Sequence, residues 1–260
     1  MSGSIVVVGI GPGALEHVTP AAREVIERAH VILGYKTYLR LIEGLAPQVP
    51  RESSGMRQEV SRVQRAVALA RAGQRVSLIS GGDAGIYGMA GLVYEVLKEQ
   101  DDDGVDVEVV PGVSALNAAA ALLGAPLMTD FAAISLSDQL VPREEILRRV
   151  ELAAQADFVL CLYNPKGRKR VEPFVLTCEI LARHRSPGTP VGVVRAAYRA
   201  GQRATIISLA DLPEADVDMV TTVIVGNSRT FVHGGKMVTP RGYASKYELE
   251  APQPERGTTA

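Results

Sequence analysis

The chain has 260 residues, of which 47% are hydrophobic and 22% charged, and acidic and basic side chains nearly cancel to a formal net charge of -1. That composition belongs to a globular protein and excludes fibrous, disordered and strongly cationic nucleic-acid-binding classes. Cys161 and Cys178 form no zinc or redox motif, and His17, His30, His184 and His233 show no metal-ligand spacing, so no metal is expected. No apolar run reaches the roughly 18 to 20 residues that span a bilayer, and the stretch from Ile5 to Ile10 has no basic leader. A cytoplasmic protein with neither a membrane nor a nucleic-acid partner is the expectation.

In chain order, IVVVGIGPG reads as a buried strand running into a glycine loop. Thr19 is placed to cap a helix with Pro20 at its first position and Ala22, Val25, Ile26 and Ala29 on one face. Strands at 30–34, 76–80 and 105–110 then alternate with helices from Val60 to Ala72, from Gly91 to Glu99 and onward from Ser114. Alternation of this kind predicts a mainly parallel sheet covered on both faces. The pattern changes at Gly124-Ala125-Pro126, which predicts a junction between a domain of residues 1–124 and one of residues 125–247. The second half carries extended segments at 131–138, 157–165, 191–195, 204–208 and 219–226, with helices from Pro142 to Ala154 and Val171 to Arg183. Its closely spaced late strands predict a mixed sheet. Residues 248–260 are polar and read as a flexible tail. The expected fold class is therefore α/β, with two α/β domains and a cleft between them.

Three loops at strand ends carry the candidate chemistry. GIGPG with Ala14 formally fits a dinucleotide fingerprint, but Pro12 removes a backbone donor and the helix starts late, at Thr19. The strand that should end in an acidic ribose ligand ends in Gly34-Tyr35-Lys36. SGGDAGIYGMAG sets the lone carboxylate Asp83 among small residues at a strand end and lacks the Lys-Ser/Thr of a phosphate-binding loop. VPGVSALNAAAA opens a helix at Ser114, either as a cap or as part of a binding surface.

These three loops, in this order and spacing, resemble the tetrapyrrole methylases, a family that uses S-adenosylmethionine. LSD at 136–138, LYNPKGRKR at 162–170, VVRAAYRAGQ at 193–202, TTVIVGNSRT at 221–230 and MVTPRGY at 237–243 are similar to the branch that methylates carbon 17 of the macrocycle with ring contraction, toward cobalamin. The metal-free macrocycle is the expected substrate. The cobalt-containing macrocycle of the anaerobic route, or methylation at another position, is the alternative.

The resemblance implies a homodimer whose subunits hold S-adenosylmethionine in the cleft and release S-adenosylhomocysteine. It implies that Gly11 and Pro12 shape the floor of the trough, and that Gly82, Asp83, Ile86 and Met89 lie against the cofactor. Ser114 and Ala115 would meet its methionine part, and Leu162, Tyr163, Ala196, Ala197, Thr221 and Thr222 its adenosine. His17 and Asp83 are the candidates for a catalytic part. The substrate is a small molecule rich in carboxylates, which calls for cations around the trough. Lys36, Arg57, Lys166, Arg168, Arg170 and Arg195 are the candidates, a solvated basic loop being the other reading of the cluster at 166–170.

Overall fold

The computed structural model describes residues 3–249 and contains two five-stranded sheets and a small three-stranded one. The first half runs β1 (Ser4–Gly9), α1 (Pro20–Glu27), β2 (Val31–Tyr35), α2 (Lys36–Leu41), β3 (Arg51–Ser54), α3 (Glu59–Arg71), β4 (Arg75–Ser80), α4 (Ala90–Glu99) and β5 (Asp106–Val110). Its sheet has the order β3-β2-β4-β1-β5 with every pair parallel. Thr19 caps α1 by accepting the Ala22 N–H, and α1 with α2 covers one face of the sheet while α3 with α4 covers the other. Burial on both faces explains why the inner strands β1, β2 and β4 read as largely apolar runs. The short α2 and β3 are additions to the predicted elements, because Arg51–Ser54 is polar and carries no alternation.

The second half runs α5 (Ala115–Leu123), β6 (Gly124–Ala125), β7 (Phe131–Ser135), α6 (Arg143–Gln155), β8 (Val159–Tyr163), α7 (Glu172–His184), β9 (Pro190–Arg195), β10 (Arg203–Ser208) and β11 (Thr221–Val225). The sheet order is β10-β9-β11-β8-β7, parallel only between β7 and β8. Past the last predicted strand the chain adds a hairpin, β12 (Phe231–His233) and β13 (Lys236–Val238), whose second strand pairs with β6. Helices α6 and α7 cover one face around Phe174, and α5 covers the opposite face through Leu116, Ala119 and Leu123. The chain therefore passes from one sheet to the other at 111–114, ahead of the junction expected at 124, because α5 buries its apolar stripe on the second sheet. Of the expected tail, Glu248 and Leu249 are exposed and residues 250–260 lie outside the described residues.

Candidate active site

Because β1 lies between β4 and β5, the loops that follow these three strands stand side by side at the carboxyl edge of the sheet, where open α/β sheets bind ligands. Gly11 and Gly82 exchange backbone hydrogen bonds of 3.0 and 2.8 Å, each in the left-handed region at φ 76 and 70. Asp83 joins the third loop. Its Oδ2 accepts the Gly112 N–H at 3.0 Å and its Oδ1 accepts those of Gly85 and Ile86 at 2.8 and 3.0 Å. No side chain fits where the loops converge, since a Cβ on Gly112 would lie 2.3 Å from the Gly82 carbonyl oxygen.

Tyr87 bridges to the second sheet, where it meets Tyr163 of β8. Tyr87, at φ 52, donates its hydroxyl to the Ala133 carbonyl at 2.9 Å and accepts the Ser135 N–H at 3.0 Å, closing the edge of β7. Its ring centre is 5.0 Å from that of Tyr163. The Tyr163 hydroxyl accepts the Leu116 N–H at 2.9 Å, and burial pushes its pKa up to about 12 against the opposing pull of that bond. Ser114 is buried and caps α5 through the Asn117 N–H, so the cap reading of this residue holds. Ala115 begins that helix with its N–H 3.6 Å from where a Gly82 Cβ would stand.

On the other side of the GPG loop, Arg199 Nε donates to the Pro12 carbonyl, and Tyr198 lies 4.1 Å from His17, ring centre to ring centre. His17 Nδ1 is buried without a hydrogen-bond partner. Tyr38, Tyr87, Tyr198 and Arg199 are all absent from the residues expected by sequence. The stretch VVRAAYRAGQ holds two of them, but nothing in its order separates Arg199 from Arg195.

The remaining expected residues divide. Met89 is buried with its N–H on Ser80 Oγ, and Ile86 is exposed at the mouth of the loop. Ala196 is held at φ 49, and Ala197 packs with the cluster under α5. Thr222 shares the α5 face of β11 with Ile224, by strand alternation, whereas Thr221 turns to the other face and bonds Asp218 at 2.8 Å. Leu162 likewise points into the core around Phe174, so its main chain alone can meet a ligand on the α5 side.

Among the cations the structure corrects two expectations. Arg170 donates to the carbonyls of Leu136 and Asn164 at 2.6 and 2.7 Å, and burial lowers its pKa, so it ties loops together. Arg195 points away from α5 and pairs with Asp218 at 3.0 Å. Burial alone would raise the Asp218 pKa, but Thr221, the Val220 N–H and Arg195 together hold it below the usual range. Lys166 sits 4.5 Å over the Phe174 ring, and Lys36, Arg57 and Arg168 are exposed. Among the described residues, no three His, Cys, Asp or Glu side chains are grouped to hold a metal ion, and no helix is long and apolar enough to cross a membrane.

Two α/β sheets joined at the glycine loops through Tyr87 have the arrangement of a methyltransferase. The model of the tetrapyrrole (corrin/porphyrin) methylases matches residues 4–213, and the chain belongs to that family. It is 52% identical over 98% of its length to a cobalt-factor III methyltransferase of Priestia megaterium, of which it spans 48%. It is 47% identical to a probable cobalt-factor III C(17)-methyltransferase of Salmonella typhimurium, with 91% of this chain and 98% of that one covered. A precorrin-3B C(17)-methyltransferase of a Sinorhizobium species is 40% identical, with 94% and 98% covered. Among solved structures, the methyltransferase CobJ superposes with a TM-score of 0.86 at 36% identity, covering 92% of this chain and all of that one. A uroporphyrin-III C-methyltransferase from Thermus thermophilus, solved with S-adenosylhomocysteine, gives 0.66 at 26% identity and covers 86% and 92%.

Proposed function

We propose that the chain transfers the methyl group of S-adenosylmethionine to carbon 17 of a tetrapyrrole, with ring contraction, and releases S-adenosylhomocysteine on the route to cobalamin. The observation that carries this reading is the set of three mutually bonded glycine loops, the second of which carries Tyr87 onto Tyr163 of the second sheet. Identity to the relatives named for cobalt-factor III, 52% and 47%, exceeds the 40% to the one named for precorrin-3B. That favours the cobalt-containing macrocycle, between which and the metal-free one the motifs do not decide.

The lining fits the cofactor, because backbone groups, two tyrosine rings and small side chains suit a neutral adenine and a folded methionine chain. Gly82, Ile86 and Met89 would lie against it, with Ser114 and Ala115 at its methionine part. Tyr163, Ala196, Ala197, Thr222 and the main chain of Leu162 would surround the adenosine. When bound, it supplies an electrophilic methyl group, and the protein's part is to align a macrocycle carbon with it and exclude water. Asp83 serves by holding the loops, since both its oxygens already accept backbone N–H groups. Ring contraction moves protons, and His17, with Nδ1 shut away, exchanges them through Nε2. An unchanged pH-rate profile in His17→Gln removes it from that role.

Incubating the protein with cobalt-factor III and S-adenosylmethionine tests the reading. The product gains one methyl group at carbon 17 and shows a contracted ring by NMR; methylation elsewhere, or none, overturns it.

A further inference from the structure

Arg199 lies where the loops of the two sheets meet. It belongs to the turn at 196–201 after β9, in which Ala196 and Tyr198 are both left-handed, at φ 49 and 55. Such a conformation is unfavourable for a non-glycine residue and persists where packing holds it. The turn lays Arg199 across the GPG loop. Nε donates to the Pro12 carbonyl, and the stem fills the space beside Gly13, where a Cβ would lie 2.3 Å from Arg199 Cγ. The guanidinium carbon is 6.0 Å from the centre of the Tyr38 ring. That ring is itself seated on Gly81, where a Cβ would come within 2.6 Å of it.

The charge is poorly compensated. A desolvated guanidinium normally has a carboxylate beside it, yet Arg199 forms no ion pair with any described acidic residue, and its two terminal amino groups make no hydrogen bond among the described residues. Burial accordingly lowers its pKa. Neighbouring arginines differ: Arg195 has Asp218, Arg170 has two carbonyls, and Arg62 has Ser54 Oγ and the Gly55 carbonyl.

We propose that Arg199 anchors one carboxylate of the tetrapyrrole, its terminal amino groups binding the acid while Nε keeps the GPG loop in place. This rests on the reading of the cleft as a tetrapyrrole site. A planar guanidinium already fixed at Nε offers its remaining edge to a carboxylate in the paired geometry that favours arginine over lysine. The same contact would lock the loop under the macrocycle as the substrate enters.

Equilibrium absorbance titration with cobalt-factor III and with its methyl ester tests this on wild type, Arg199→Ala and Arg199→Lys, with S-adenosylhomocysteine affinity measured by calorimetry. Arg199→Ala weakens the free acid by about tenfold or more and the ester by clearly less, while S-adenosylhomocysteine affinity reports what loss of the Pro12 contact costs the loop. Arg199→Lys regains part of the loss. Unchanged affinity for the acid, or equal losses for acid and ester, overturns the anchor. Because binding is read directly, a failure of the methyl-transfer reading appears separately, as tetrapyrrole binding without methylated product.

Discussion

Asp83 and Gly112, 29 residues apart, are joined by a 3.0 Å hydrogen bond from the Gly112 N–H to Asp83 Oδ2, and through it the loops after β4 and β5 move as one. With the Gly11–Gly82 pair, the bond ties all three loops of the first sheet.

Asp83→Ala therefore leaves three backbone donors without their acceptor. It lowers stability by about 2 to 3 kcal/mol, since each bond to a charged group contributes more than a neutral one. S-adenosylhomocysteine affinity falls with it. Denaturant unfolding and calorimetry measure the two; wild-type values for both would remove the tie from the account.

Gly112→Ala and Gly91→Ala move stability in opposite directions. The first drives a Cβ to 2.3 Å from the Gly82 carbonyl oxygen and to 2.7 Å from Gly9, an overpacking that costs about 1 to 3 kcal/mol. Gly91 lies in α4 with nothing within 4 Å of its Cβ direction, so alanine there gains about 0.5 to 1 kcal/mol in helix propensity. Midpoints of urea unfolding give the comparison.

Tyr163→Phe removes the acceptor of the Leu116 N–H in the first turn of α5 and costs about 1 kcal/mol at neutral pH. Burial raises the phenol from 10.0 to about 12 in the fold, so its contribution is intact below pH 10 and is lost as pH climbs toward 12. The variant loses that part of the alkaline decline. It keeps the part from Cys161, whose thiol burial raises from 9.0 to about 12. Thermal melts across pH 8 to 12 of both proteins display the difference, and superimposable pH dependences count against it.

Arg170→Ala and Arg168→Ala separate two members of the basic cluster. Loss of Arg170 strips the carbonyls of Leu136 and Asn164 of their donor and costs about 2 to 4 kcal/mol. Arg168 is exposed, and its removal stays within about 0.5 kcal/mol of wild type. A raised tetrapyrrole KM in Arg168→Ala at wild-type stability assigns it to substrate recognition, and an unchanged KM leaves it a solvated residue.

By itself the sequence determined the elements and the loops. Apolar runs ending in glycines can only be buried strands feeding tight turns, and Thr19-Pro20 and Ser114 mark helix starts through local chemistry that needs no distant partner. The three glycine loops were legible because each obeys a rule within about ten residues. What the tertiary structure decided are relationships across the chain. Asp83 meets Gly112, Tyr87 closes the edge of β7, and Arg199 reaches Pro12, 187 residues away. Side-chain direction belongs to this group too: Arg170 and Arg195 look alike in sequence to Arg199, but each is committed to partners that only the folded sheets bring near. The short β3, β6 and the late hairpin were hidden for the same reason, since strands of two to four residues are stabilised by their neighbours and carry little periodicity of their own.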